Sequence, residues 1–331
     1  VSLPAVPEFD DLLGELRADV ERVEAELASL VESPVEVVRG VGAHTLAAGG
    51  KRLRPAFVSL SARATGRPFD AARAVRLGAC LELIHMATLI HDDVIDQADR
   101  RRGRATAAAL FGNTASILAG DAMLARAMVV LAEDGDLGII RTVSRSVVEM
   151  AEGEAREVEC RGRFDLPEED HLEVLRMKTA AFIECCCRVG AALTGADPTT
   201  ASALADYGHH VGMAFQIVDD ILDFRGDPAA TGKPRATDFR EGCATLPLIR
   251  LRVTLSEEEA RQVESWFGNG VGDDDLRCLV GLLEDRGAFD EAESRARDHI
   301  DRASSALEGL PDTPDRRLLA SAAEFVIRRT S

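Results

Sequence analysis

The sequence predicts an all-α fold, and three observations carry that prediction. Apolar residues recur at helical spacing almost from end to end. Aromatics make up only 4% of a chain rich in Ala and Leu, a composition that favours helices over strands. No NG or DG turn joins two alternating runs, so no hairpin is expected. The 331 residues contain no repeat of fixed period and no linker long enough to divide them, and 46% are hydrophobic, ample for one core. A single all-α domain over 1–331 is therefore expected.

The elements follow in chain order. Leu12, Leu13, Leu16, Val20, Val23, Leu27 and Leu30 mark a first amphipathic helix that stops near Glu32. Ser33-Pro34-Val35-Glu36 reads as a capping box with Pro in the first turn, opening a second helix that runs toward Gly49-Gly50. Breaks at Thr65 to Pro68, Gly135, Gly162 to Pro167, Gly195 to Pro198 and Gly226 to Pro234 separate further helices. A capping box at Ser256 to Glu259 and a Thr cap at Thr313-Pro314 start two more, giving ten or more helices in all.

Charge sets the first functional boundary. Lys+Arg 39 against Asp+Glu 57 gives 39 − 57 = −18, which argues against nucleic acid, because a phosphate-backbone binder needs a basic face. The runs Glu168-Glu169-Asp170, Glu257-Glu258-Glu259 and Asp273-Asp274-Asp275 read as solvated helix starts, where carboxylates suit the positive end of the helix dipole. The most apolar stretch, Ser116 to Ala132, is interrupted by Asp121 and Arg126, so no transmembrane segment is expected. The first residues lack the basic and apolar regions of a secretion signal. Cys80, Cys160, Cys185, Cys186, Cys187, Cys243 and Cys278 show no zinc-ligand spacing, and an odd number scattered along helices reads as reduced thiols in a cytoplasmic protein.

Two acidic motifs stand apart from the solvated runs. Asp92-Asp93-Val94-Ile95-Asp96 and Asp219-Asp220-Ile221-Leu222-Asp223 share the form DDxxD, and each ends a strongly apolar helical run. Residues i and i+4 share a helix face about 5 to 6 Å apart, so Asp92 pairs with Asp96 and Asp219 with Asp223. Like charges at that spacing repel by about 3 kcal/mol at an effective dielectric of about 20, and a cation must relieve them. Oxygen donors with no His or Cys point to a hard ion such as Mg²⁺, which keeps positions open for water and phosphate. Basic clusters accompany the acids. Gly49-Gly50-Lys51-Arg52-Leu53-Arg54-Pro55 puts Lys51 and Arg54 at a helix N-terminus, and Arg100-Arg101-Arg102-Gly103-Arg104 follows the first motif closely. Metal carboxylates beside guanidinium forks suit a polyanionic substrate.

The segments GGKRLRP, HDDVID followed by RRG, KTA at 178–180, FQIVDDILD, and GKPRATD with TLP resemble, in this order, the trans-isoprenyl diphosphate synthase (polyprenyl synthetase) family. The resemblance implies the all-α isoprenoid synthase fold around a deep central cavity, a homodimer, and head-to-tail condensation of isopentenyl diphosphate with an allylic diphosphate. It implies about three Mg²⁺ per active site, with Asp92, Asp96 and Asp219 as direct ligands and Asp93, Asp220 and Asp223 as ligands or water-mediated partners. Lys51, Arg54, His85 and Arg102 would grip isopentenyl diphosphate; His85 lies seven residues before Asp92, two turns away on the same face. Arg101, Lys178 and Lys233 would grip the allylic diphosphate. Thr179 and Gln216 would turn oxygen dipoles to the developing cation, with Asp238 as a supporting acid. Family members commonly carry Lys where this chain has Cys243, which puts one allylic-diphosphate contact in doubt.

Product length is read from the residues before the first motif. Short-chain members place aromatics at the fifth and fourth positions before its first Asp, whereas this chain has Ala87 and Thr88, with Ile84, Cys80 and Leu77 deeper. An open floor of this kind implies an all-trans product longer than C20, in the C30 to C50 range, with Met123 or Met128 as later stops. Three alternatives stay open: a short-chain C15 to C20 synthase, a non-catalytic subunit of a heteromeric synthase, and a class I terpene cyclase.

Overall fold

The computed structural model describes residues 17–101, 103–226 and 235–328. Among them are sixteen α-helices and one two-stranded hairpin, so the all-α expectation holds. The chain divides into two compact units, one of Val1–Ser144, Cys185–Leu204 and Gly309–Ser321, the other of Arg145–Glu184, Ala205–Glu308 and Ala322–Ser331. Each is assembled from three separate stretches of sequence. Four helices, α7 (Leu137–Cys160), α9 (Ala181–Leu193), α10 (Pro198–Arg225) and α16 (Pro314–Arg328), hold residues of both.

The first unit contains α1 (Arg17–Leu30), α2 (Glu36–Ala47), α3 (Leu53–Ala64), α4 (Ala71–Ile95), the hairpin β1 (Arg100–Arg101) and β2 (Arg104–Ala105), α5 (Ala107–Phe111) and α6 (Asn113–Asp134). Helix α4 is its spine, flanked by α1, α3 and α6. It is apolar on every side through its middle, and Leu77, Ala79, Cys80, Leu83, Ile84 and Ala87 are buried, as an all-round apolar helix requires. Asp70 caps its start, accepting the Ala72 and Arg73 amides at 2.9 and 3.2 Å. Sequence patterning does not foresee the hairpin: its arms are two residues long, and Gly103 turns it at φ 74. The capping box at Ser33 does not form. The Ser33 hydroxyl takes the Val35 amide instead, at 3.2 Å, and α2 starts at Glu36 without a side-chain cap.

The second unit contains α8 (Glu168–Leu175), a π-helical turn at Arg176–Ala180, α11 (Thr237–Arg240), α12 (Leu246–Arg252), α13 (Glu257–Trp266), α14 (Asp273–Asp285) and α15 (Ala288–Ala306), with the adjoining parts of α7 and α10. The capping box at Ser256 and Glu259 forms as read. The acids opening α8 are not idle surface. Glu168 pairs with Arg250 of α12 at 2.6 Å and Arg295 of α15 at 2.9 Å, and Asp170 with Arg156 of α7 at 2.8 Å, so the sequence reading of a solvated run is corrected. Edge-to-face contacts of Phe224 with Phe239 and Phe289, and of Phe239 with Phe267, fasten the C-terminus of α10 to α11 and α15.

All seven cysteines are free. Among the described residues two helices, α4 and α6, are long and apolar enough to cross a membrane by length and composition. Most of the apolar window of α4 is buried as core, whereas most of that of α6 is not. The breaks at Asp121 and Arg126 are thus too sparse to remove α6 from that class.

Candidate active site

In the first unit the basic segment is set by its backbone. Gly49 takes φ 71, and Arg52, the residue before α3, sits in the left-handed region at φ 48 and ψ 41. A non-glycine residue holds that conformation when its side chain is tied down. Arg52 is buried, its Nε 2.6 Å from Glu24 of α1 and its Nη1 3.1 Å from Glu82 of α4. Lys51 on one side is exposed, and Arg54 on the other lies half-buried in the first turn of α3. Helix α4 supplies His85, half-buried, whose carbonyl accepts the Thr88 hydroxyl at 2.9 Å. A pocket of about 580 Å³, counted with its open mouth, brings His85 together with Gly49, Asp93 and Arg101, and adds His44 and Arg104. Its apolar wall is Met86, Leu89 and Ile90. Arg104 donates to the Ala47 carbonyl and His44 Nε2 meets the Ala105 carbonyl at 2.8 Å, so the hairpin is tied to the end of α2. Arg102 lies outside the described residues.

The first motif closes α4. Asp92 is in the last turn and Asp96 is the C-cap, both half-buried and joined through the backbone, Asp96 N to Asp92 O at 2.8 Å. Asp93 differs. It is buried and accepts Arg101 Nε at 2.7 Å, so a predicted metal ligand and a predicted diphosphate contact meet each other here. Ile84 and Ala87 are fully buried and Thr88 half-buried; none of the three lines the pocket, and helical spacing places them on the other side of α4 from Met86, Leu89 and Ile90. Met123 is buried, with its Cε against Gly42 of α2, while Met128 stands on the exposed side of α6.

In the second unit the motif on α10 repeats this division. Asp219 is exposed and Asp223 half-buried on one face. The Asp223 carboxylate accepts the Thr237 and Asp238 amides at 3.1 and 3.2 Å, which orients it from the first turn of α11. Asp220, about a quarter-turn round, is buried, accepts the Leu246 amide at 3.4 Å and meets His171 Nε2 at 2.8 Å. Asp93 and Asp220 are thus anchored inward, because adjacent helix positions point some 100° apart.

The KTA segment forms the π turn. Lys178 Nζ lies 2.5 Å from Glu157 and 2.9 Å from Glu154, both on α7. Burial alone would lower the Lys178 pKa, but the two carboxylates outweigh it and hold the ammonium above its usual value. Thr179 donates its hydroxyl to Gln216 Oε1 of α10 at 3.0 Å, bringing together the two predicted oxygen dipoles. Beside Glu157 sits Cys243, whose pKa burial and the neighbouring carboxylates of Glu157 and Asp238 raise to about 12, leaving a neutral thiol. Arg161 hydrogen-bonds toward the same sulfur. Lys233 lies outside the described residues.

The oxygen-only pairs Asp92 with Asp96 and Asp219 with Asp223 fit a hard cation. Among the described residues no three His, Cys, Asp or Glu side chains converge into a closed cage. Open carboxylate pairs of this type suit an ion that retains waters and phosphate oxygens, not zinc. Sequence reasoning missed Arg52, Glu82, Glu154, Glu157 and His171. Glu82 carried a signal, being a lone acid inside the run LGACLELIHM that demands a buried partner. The others have partners too distant in sequence to be paired by inspection.

A family model described as polyprenyl synthetase matches residues 35–280. The octaprenyl diphosphate synthase of Escherichia coli is 36% identical over 318 residues, covering 96% of this chain and 98% of its own length. A crystal structure of a decaprenyl diphosphate synthase from Rhodobacter capsulatus superposes with a TM-score of 0.92 at 35% identity, over 98% of this chain and 100% of that one. The polyprenyl synthase from Caulobacter crescentus, crystallised with calcium and isoprenyl diphosphate, gives a TM-score of 0.93 at 33% identity over 99% of this chain and 100% of that one.

Proposed function

The chain belongs to the polyprenyl synthetase family and has its all-α isoprenoid synthase fold, and from that premise we propose that it joins isopentenyl diphosphate head to tail to an allylic diphosphate, giving an all-trans polyprenyl diphosphate longer than C20. It is thus a transferase of alkyl groups other than methyl. The observation that carries the reading is the pair of DDxxD motifs, each with its first and last acids on one helix face and its middle acid anchored inward. That arrangement puts two oxygen-only carboxylate pairs at the ends of α4 and α10.

The residues divide the work. Asp92, Asp96, Asp219 and Asp223 would hold about three Mg²⁺, while Asp93 and Asp220 fix the helix ends that carry them. Magnesium held there would supply positive charge against that building on the departing diphosphate, favouring ionisation of the allylic C–O bond. Arg101, Lys178 and Lys233 bind the same allylic diphosphate. Lys51, Arg54, His85 and Arg102 orient isopentenyl diphosphate so that its double bond faces the allylic carbon, and proximity of this kind replaces an unfavourable encounter in water. The Thr179 and Gln216 oxygens stabilise the cation, and apolar walls keep water from it. The proton lost at the end goes to the departed diphosphate.

The octaprenyl and decaprenyl synthases among the relatives support the longer product, as do Ala87 and Thr88 in place of aromatics. Geranyl, farnesyl or geranylgeranyl diphosphate would serve as primer. A second copy of the chain covers the apolar face of α6 and α5 in this reading, where Leu110, Ile117, Leu118 and Val129 are all more than 40% exposed. Free thiols throughout support a cytoplasmic location. The whole chain acts as one catalytic domain, because neither unit is a contiguous segment.

The test is incubation of the purified single protein with Mg²⁺, labelled isopentenyl diphosphate and primers of three lengths, followed by chromatography of the dephosphorylated products. Products beyond C20 are expected. Absence of elongation from every primer overturns the synthase reading and favours a subunit that needs a partner, whereas a stop at C15 or C20 overturns only the product length.

A further inference from the structure

Two glycines face the π turn from opposite sides. A Cβ on Gly153 of α7 would lie 2.8 Å from Met177 Cβ, 2.9 Å from the Lys178 amide nitrogen and 3.1 Å from the Met177 carbonyl carbon. One on Gly212 of α10 would lie 2.6 Å from Ala180 Cα and 3.0 Å from Ala180 Cβ. Backbone atoms stand at both contacts, so no side chain can swing aside to admit the methyl group. Both residues lie inside helices and neither has a positive φ, so conformation alone does not demand glycine. Alanine is the better helix former at such positions. What the glycines provide is closeness.

That closeness falls on the catalytic side chains. Gly153 immediately precedes Glu154 and is one turn before Glu157, the two carboxylates on Lys178. Gly212 is one turn before Gln216, which receives the Thr179 hydroxyl. The π turn widens the helix at Lys178 and Thr179, and π-bulges recur at functional sites. Without a Cβ, α7 and α10 approach this widened turn closely enough to fix both side chains at once.

We infer that Gly153 and Gly212 are positioning residues for prenyl transfer, serving as notches that seat the π turn and hold Lys178 and Thr179 at the reacting centre. The inference rests on the proposed activity. It extends that activity to two residues that touch no substrate.

The experiment compares Gly153→Ala, Gly212→Ala and a control, Gly281→Ala, whose added Cβ would meet nothing within 4 Å. Steady-state kinetics with both substrates and thermal melting are read for each. The expected result is a fall in kcat of about 100-fold in the two site variants, in line with the effect of a misplacement near 1 Å. The KM for isopentenyl diphosphate, gripped by Lys51 and Arg54, should stay within about two-fold, and the control should match the wild type. A double-mutant cycle supplies a readout that general weakening of the fold would not move: Gly153→Ala in a Lys178→Ala background should add less than about two-fold to the loss, because the positioned group is already gone. Full kcat in the alanine variants, additive losses in the cycle, or collapse of the folded state in both variants would overturn the inference. Inactivity of the wild type and of Gly281→Ala would instead overturn the proposed function.

Discussion

The two acidic motifs share one four-residue spacing but are made rigid by different means. At the end of α4 the middle acid, Asp93, is held by the guanidinium of Arg101, a third exposed and only eight residues on. At the end of α10 the middle acid, Asp220, is held by His171 and the Leu246 amide, both from other helices and nearly sealed from water. The last acids differ as well. Asp96 is itself a helix cap, whereas Asp223 is gripped by two amides of α11. A short motif therefore specifies which carboxylates face outward, and the surrounding tertiary contacts decide how firmly. The first motif takes its anchor from Arg101, a residue proposed to bind the allylic diphosphate, so its order should respond to ligand. The second is part of the core.

The sharpest way to break this contrast is to remove each anchor. His171→Ala leaves Asp220 buried without its side-chain partner and should destabilise folding by about 3 kcal/mol. Arg101→Ala at a partly exposed pair should cost under about 1 kcal/mol, while lowering activity strongly. Urea midpoints for the two variants check this, and equal shifts would erase the distinction. Next in size is a test of the helices themselves. Ala87 and Ala214 are both buried and both stand five residues before the first Asp of their motif. Ala87→Phe should shorten the product by several isoprene units, whereas Ala214→Phe should overpack the core at about 1–3 kcal/mol with no shift in product length. An unchanged product from Ala87→Phe removes its role as chain floor.

A smaller effect is expected at Cys243. Placing Lys there puts an ammonium beside Glu157 and Asp238, and should lower the KM for the allylic substrate several-fold; an unchanged or higher KM counts against a diphosphate contact at this position. The mildest effect concerns pH. His210, on the helix that carries the second motif, meets His299 of α15 through their Nδ1 atoms at 3.0 Å. Burial, the neighbouring imidazoles and Arg302 lower the pKa of each to about 4. Asp206 opposes this at His210, Arg295 reinforces it at His299, and His209 faces both. A lowered folded-state value means stability that is present above pH 6.5 and lost as pH falls toward 4. Hydrogen exchange between pH 7 and 4.5 should therefore loosen α10 before α4, and His210→Asn should reduce the difference.

Much of this site was legible in the sequence, for reasons that differ from residue to residue. The outward acids Asp92, Asp96, Asp219 and Asp223 follow from helical spacing alone, and so do most helix ends, since Gly135 and Thr313 act through local backbone geometry. The inward turn of Asp220 was not legible, because His171 lies 49 residues away. Glu168 looked like solvated surface for the same reason, its partners Arg250 and Arg295 being 82 and 127 residues distant. The π turn has no compositional mark at all. Gly153 and Gly212 did carry one, as isolated glycines within helical patterns, a feature that signals a packing requirement without naming what is packed.

Arg52 carries the matter from geometry to entropy. Its ties to Glu24 and Glu82 fix the short link between α2 and α3, so Lys51 and Arg54 flank a backbone that has already surrendered its freedom. A loose loop would lose about 1–2 kcal/mol per residue on closing around an anion. Here that ordering occurs during folding, so the anion that Lys51 and Arg54 are proposed to grip would not impose it again at each turnover.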